Sequence, residues 1–113
     1  MIDQVAPADL AAWFAADAAS APVLLDVREP WERQTASVVP AGFTLVAIPM
    51  NEIPARLAEL DAGQQRVACL CHHGARSQRV AMFLHQNGFD ALANVAGGID
   101  AWSLQHDPAV PRY

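Results

Sequence analysis

Short runs of apolar residues alternate with stretches in which apolar positions recur every three or four residues, and this alternation sets the expected architecture. Residues 7–16 predict a first helix, with Leu10, Trp13 and Phe14 on one face and Pro7 near its start. Val23, Leu24 and Leu25 form a continuous apolar run between Pro22 and Asp26, the pattern of a strand buried on both faces. A short helical turn is expected over residues 30–34. Leu45, Val46, Ala47 and Ile48 predict a second buried strand, closed by Pro49. Asn51 reads as the N-cap of a helix carrying Ile53, Leu57 and Leu60, with Gly63 just beyond its end.

Residues 66–70 predict a third strand, which delivers the chain into Cys71, His72, His73, Gly74, Ala75, Arg76 and Ser77. Residues 77–87 predict a helix with Val80, Phe83 and Leu84 on one side and Gly88 as its stop. Residues 92–95 give a last short strand. Gly97 and Gly98 then precede a final helix through Trp102. Strand and helix alternate throughout, so the expected fold is α/β, a parallel sheet covered by helices on both faces.

Composition narrows the function classes. A chain of 113 residues is long enough for one domain, residues 1–113, and its 53% hydrophobic content suffices to bury a core. The formal charge of −5 argues against nucleic acid or an anionic membrane as partner. Met1, Ile2, Asp3 and Gln4 lack the basic start of a signal peptide. The richest apolar stretch, residues 10–25, is cut by Asp17 and Pro22 and is too short to span a bilayer. An intracellular, cytoplasmic protein is expected. Cys69 and Cys71 are its only cysteines, and in a reducing compartment two thiols point to chemistry or packing. Two residues apart on one strand they stand on the order of 6.6 Å apart, long for a disulfide. Cys69 is expected to pack as a small hydrophobe.

The chemistry concentrates at Cys71. Ligands in such folds collect at the carboxyl ends of the strands, and Cys71 lies at one. A short loop and a helix N-terminus follow, whose unpaired amides carry partial positive charge and stabilise a thiolate or an anion. A free thiol is only a few per cent ionised at neutral pH, and a helix N-terminus raises that fraction. Arg76 adds a permanent charge and a planar fork of donors suited to oxyanions, and Gly74 allows a tight curl. Cys71, Gly74, Arg76 and Ser77 together describe a cradle for an anionic nucleophile. His72 and His73, with the two cysteines, lack recognisable zinc spacing, so neither a metal nor a cofactor is expected. The histidines are expected to line the pocket mouth, where partial protonation favours an anionic donor.

These residues resemble the rhodanese-like family. Leu25, Asp26, Val27, Arg28, Glu29 and Pro30, with Glu32 two residues on, resemble its first signature. Gly88, Phe89 and Asp90, followed by residues 95–102 from Val95 to Trp102, resemble its closing signature. The three motifs come in order and cover nearly the whole chain. The resemblance implies a three-layer α/β/α fold around a mostly parallel five-stranded sheet. It also implies a sulfurtransferase in which Cys71 takes the outer sulfur of thiosulfate, 3-mercaptopyruvate or a protein persulfide and passes it to a thiol or cyanide. The amides of His72, His73, Gly74, Ala75, Arg76 and Ser77 would hold the persulfide charge, and Arg76 would hold an anionic donor or stabilise the cradle. The rival reading is a relay module that exchanges persulfide only with partner proteins.

Related phosphatases and arsenate-handling enzymes carry a loop one residue longer, Cys-x5-Arg. The spacing here, Cys71 to Arg76, is Cys-x4-Arg; one residue fewer removes about 3.3–3.6 Å of contour and suits sulfur better than phosphate. The chain departs from the family over residues 36–42, Ala36 to Gly42, where relatives carry Gly-His-Ile-Pro-Gly-Ala and this chain has no histidine. Substrate access or local packing is expected to differ there. Arg28 and Glu29 are expected to serve structure, Asp26 to bond nearby amides, Gly97 and Gly98 to permit a close approach of loop and helix, and Trp102 to fill the core.

Overall fold

The computed structural model describes residues 2–113. Five strands, β1 (Ile2–Val5), β2 (Ala21–Asp26), β3 (Thr44–Ala47), β4 (Gln65–Leu70) and β5 (Leu92–Val95), form one sheet in the order β1-β5-β4-β2-β3. Every pairing is parallel. The helices are α1 (Leu10–Ala15), α2 (Pro30–Thr35), α3 (Ala75–Gln86) and α4 (Gly98–Gln105). Among the described residues no helix is long and apolar enough to cross a membrane.

Alternation along the strands divides the core between the two faces. On one face Val23, Leu25, Val67, Cys69 and Leu92 pack with Val80, Ala81 and Leu84 of α3. On the other, Leu24, Ala68, Leu70, Ala93 and Val95 pack with Leu10 and Phe14 of α1 and Ile99 and Trp102 of α4. Both faces are covered, which gives three layers and explains why β2 and β4 read as unbroken apolar runs. Trp102 is in the core, as expected.

Four elements differ from the sequence expectation. The single helix expected over residues 7–16 is a 3-10 turn, Pro7–Asp9, followed by α1. β1 joins an edge of the sheet, pairing with β5, although only Ile2 and Val5 of its four residues are apolar. The helix expected after Asn51 is instead two 3-10 segments, Met50–Glu52 and Pro54–Glu59, and no Asn51 side chain caps them. Pro54 opens the second and interrupts any continuous helix. The helix expected from Ser77 begins two residues earlier, at Ala75, because Gly74 takes φ of 112° and turns the chain directly into it.

Of the segment that departs from the family, residues 36–42, only Ala36 and Val38 pack inward, and the other five are exposed. Ala36 and Val38 are buried in the α1/α4 layer, and the Ala36 carbonyl accepts a 2.8 Å hydrogen bond from Arg28.

Candidate active site

β4 ends at Leu70, and the next residue, Cys71, is on the same sheet face as Cys69 and α3. The chain then curls through Gly74 into α3, whose first amides have no intrahelical acceptor. The Gly74 N–H donates to Cys71 Sγ at 3.0 Å, and Ser77 Oγ lies 3.2 Å from the same sulfur. Cys71 is 1% exposed, so the sulfur sits at the bottom of a narrow cradle. An apolar groove of about 650 Å³ lined by Leu10, Phe14, Phe43 and Trp102 is on the opposite face, and no residue of the 71–77 loop borders it.

The loop is clamped from α4. Ile99 and Asp100 N–H groups donate to the carbonyls of Cys71 and His72 at 2.9 and 3.1 Å. This approach requires glycine before them: Gly98 has φ of 61°, and a Cβ there would fall on the Cys71 and His72 carbonyls. The close contact expected of this glycine pair is the one observed.

Arg76 does not hold its guanidinium free. Both of its terminal nitrogens donate to Glu32, each at 2.7 Å. Glu32, 3% exposed, also accepts from Tyr113 at 2.8 Å and from the Glu29 N–H at 2.9 Å, the latter half of a capping box at the start of α2. Arg76 above all, with these lesser donors, overcomes the cost of burial and holds the Glu32 carboxyl down to about 2. Arg28 and Asp26 form a second, fully buried pair, with bonds of 2.9 and 2.7 Å between the guanidinium and the carboxylate. Arg28 also reaches Tyr113 and the carbonyls of Glu32 and Ala36. Asp26 bonds the Arg28 N–H, the backbone role expected of it.

His72 and His73 stack on each other, and His72 stacks in turn on Tyr113, each with centroids 3.9 Å apart. Partial burial, then His73, lowers the His72 pKa, which reduces the positive charge it lends the mouth. This runs against the partial protonation expected of the loop histidines, as far as His72 is concerned. His73 and Ala75 are exposed at the rim. The possible metal ligands that meet are His72, His73 and Asp100, all within 4.8 Å, rather than the cysteines with the histidines. Asp100 is already paired with Arg112 at 2.9 Å, and two stacked imidazoles aim their in-plane lone pairs side by side rather than at one point.

Cys69 is fully buried behind Cys71. Burial, reinforced by Cys71, pushes its thiol up to about 12. Both cysteines are free. Sequence reasoning missed Asn94, Gln4 and Tyr113, which reach this site from β5, β1 and the last residue of the chain. Only their distant partners mark them.

Comparison with known proteins identifies the family. A rhodanese-like domain model matches residues 7–105. The chain is 36% identical over 93 residues to a rhodanese-like/PpiC domain-containing protein 12, chloroplastic, of Arabidopsis thaliana, covering 80% of this chain and 30% of that protein. It therefore spans under a third of that relative's length. It is 33% identical over 88 residues to a sulfurtransferase of Allochromatium vinosum, covering 78% of each. A crystal structure of a rhodanese-related protein from Thermoplasma volcanium superposes with a TM-score of 0.76 at 31% identity, covering 98% of this chain and 99% of that one. The chain belongs to the rhodanese-like domain family.

Proposed function

We propose that this chain is a sulfurtransferase that carries transferable sulfur as a persulfide on Cys71. The observation that carries the reading is the Cys71 sulfur seated at the start of α3, with the Gly74 amide aimed at it from 3.0 Å. Family membership and the sulfurtransferase name of the Allochromatium vinosum relative support it.

In the first half-reaction the Cys71 thiolate attacks the outer sulfur of thiosulfate. The S–S bond of thiosulfate breaks, its electron pair leaves on sulfite, and Cys71 keeps the transferred sulfur as a persulfide anion. In the second, an acceptor thiolate or cyanide attacks that outer sulfur, and the electrons of the persulfide bond return to Cys71. With 3-mercaptopyruvate the same attack would break the C–S bond, its electron pair leaving on the pyruvate enolate, which takes up the proton released with the sulfur; with a protein persulfide it would break the S–S bond and leave the donor cysteine as its thiolate. The amides of residues 72–77 stabilise the anion in each state, Ser77 provides a hydroxyl beside it, and Arg76 acts on the cradle through Glu32. The Cys-x4-Arg spacing supports sulfur over a tetrahedral oxyanion. A cytoplasmic setting, where thiols remain reduced, suits two free cysteines.

One observation favours a donor carried by a partner protein. Thiosulfate is a dianion, whereas the Arg76 guanidinium is taken up by Glu32 and burial disfavours the charged form of His72. Turnover with cyanide as acceptor tests the point. Loading from a persulfidated cysteine desulfurase is expected to exceed loading from thiosulfate at equal concentration. Efficient turnover of thiosulfate alone would return the chain to the small-donor class, and no transfer from any donor would remove the reading.

A further inference from the structure

Ser77 has one hydroxyl proton and three acceptors around it. Its Oγ lies 3.2 Å from Cys71 Sγ, 3.2 Å from the Gly74 carbonyl and in a short hydrogen bond with Asn94 Oδ1. Which acceptor receives the proton follows from the far side of Asn94. The Asn94 Nδ2 group donates to the Gly74 carbonyl at 3.1 Å and to Gln4 Oε1 at 3.0 Å. A carbonyl can only accept, so the NH2 end of Asn94 must face Gly74 and its oxygen must face Ser77. Asn94 is 4% exposed and Ser77 fully buried, so these polar atoms find their partners within the protein. Gln4 is held in turn, its amide donating to Gln78 Oε1 at 2.6 Å. The Ser77 proton therefore belongs to Asn94, and Ser77 presents a lone pair to Cys71. That arrangement matches a sulfhydryl, whose S–H donates to Ser77.

We propose that Asn94 is a positioning residue that acts on Cys71 through Ser77: by claiming the serine proton it favours the resting thiol, and it yields that proton when a sulfur anion forms. When Cys71 loses its proton to solvent, the Ser77 hydroxyl rotates about its Cβ–Oγ bond and donates to the sulfur, and Asn94 Oδ1 loses its donor. No heavy atom needs to move. The same rotation serves the persulfide anion, so the relay quiets the thiol between turnovers and supports the charge during them. The inference rests on Cys71 as the nucleophile of the proposed transfer.

The other titratable and charged groups around Cys71 are Cys69 on β4, His72 and His73 on the loop, Arg76 with its partner Glu32, Asp100 on α4, and Tyr113. A double-mutant cycle holds all of them constant. The rate of iodoacetamide alkylation at Cys71 is measured against pH in the wild type, Asn94→Leu, Ser77→Ala and the double variant, with Cys71→Ser as the blank. This reads the nucleophile without any sulfur donor, so it stands or falls separately from the transfer assay. Asn94→Leu, which keeps the side-chain shape and removes the acceptor, is expected to move the midpoint of the profile down by about one pH unit, a tenfold change in the ionisation ratio. Ser77→Ala is expected to move it up, and in that background Asn94→Leu should move it by less than about a third of a unit. An unchanged or raised midpoint in Asn94→Leu, or an undiminished shift without Ser77, overturns the proposal. Should Asn94→Leu not fold, Asn94→Asp tests the same relay with opposite sign. Its carboxylate holds the serine proton harder, so its upward shift should exceed the shift it produces in the Ser77→Ala background. Equal shifts there would also overturn it.

Discussion

Arg76 and Glu32, separated by 44 positions in sequence, meet through two parallel hydrogen bonds of 2.7 Å. The pair ties the first turn of α3 to α2 and fixes the orientation of the Cys71 loop between them. A guanidinium held in this fork-to-fork manner is rigid and largely neutralised. Under the proposed function its service to Cys71 is therefore positional, and the negative charge of a persulfide would fall to the backbone amides.

The pair has a pH signature. Glu32 is lowered from 4.5 to about 2 in the folded chain, chiefly by Arg76, so its contribution to stability is complete above pH 4.5 and is lost as pH falls toward 2. Glu32→Gln lacks that dependence. The stability advantage of wild type over Glu32→Gln, measured by urea unfolding, should hold constant from pH 7 to about 5 and then shrink by on the order of 3 kcal/mol across the acid window. A constant difference down to pH 2 would contradict the pairing.

The two thiols should separate cleanly. Cys69 is buried and pushed up to about 12, whereas Cys71 sits beside an amide donor. Thiol counting with iodoacetamide between pH 7 and 9 should label one cysteine in the native protein, and peptide mapping should place the label on Cys71. The second should react only in denaturant. Native labelling of Cys69 at a comparable rate would mean that the β4 core opens far more readily than its packing implies.

Gly98→Ala should damage both stability and the loop. A methyl group there overlaps the Cys71 and His72 carbonyls at a backbone angle that side chains disfavour. The combined cost is about 2–5 kcal/mol. Sulfur transfer in the fraction still folded should fall at least tenfold, since the carbonyls held by Ile99 and Asp100 must shift. A variant with wild-type melting and activity would show that α4 does not clamp the loop.

Arg28→Met should cost about 3–5 kcal/mol by leaving the fully buried Asp26 carboxylate uncompensated. The double variant Asp26→Leu, Arg28→Met should recover much of that loss, because it removes the stranded charge. Thermal and urea unfolding of the three variants measures both. Equal losses in the single and double variants would locate the cost in lost packing instead.

How much of this was legible beforehand depends on the range of the interactions. β2 and β4 were readable because strands covered on both faces need unbroken apolar runs. β1 was not, since an edge strand with Asp3 and Gln4 at its centre owes its place to pairing with β5, some 90 positions away. The helix expected after Asn51 ignored Pro54, which splits the segment into 3-10 turns. Cys71, Gly74 and Ser77 were visible as a local pattern, because a curled loop before a helix needs those residue types in that order. The partners of Arg76 and Ser77 were not visible. Glu32 stood inside a recognised motif without any sign that it would take the guanidinium, and Asn94 looked like one more strand residue.

The central claim is that Cys71 carries the sulfur. Intact mass is measured after incubating reduced protein with thiosulfate, 3-mercaptopyruvate or a persulfidated cysteine desulfurase, with Cys71→Ser in parallel. The account predicts a gain of one sulfur atom from at least one donor, removed by cyanide or dithiothreitol and absent in Cys71→Ser. A folded, reduced protein that gains no sulfur from any of the three, or gains it equally without Cys71, would contradict it.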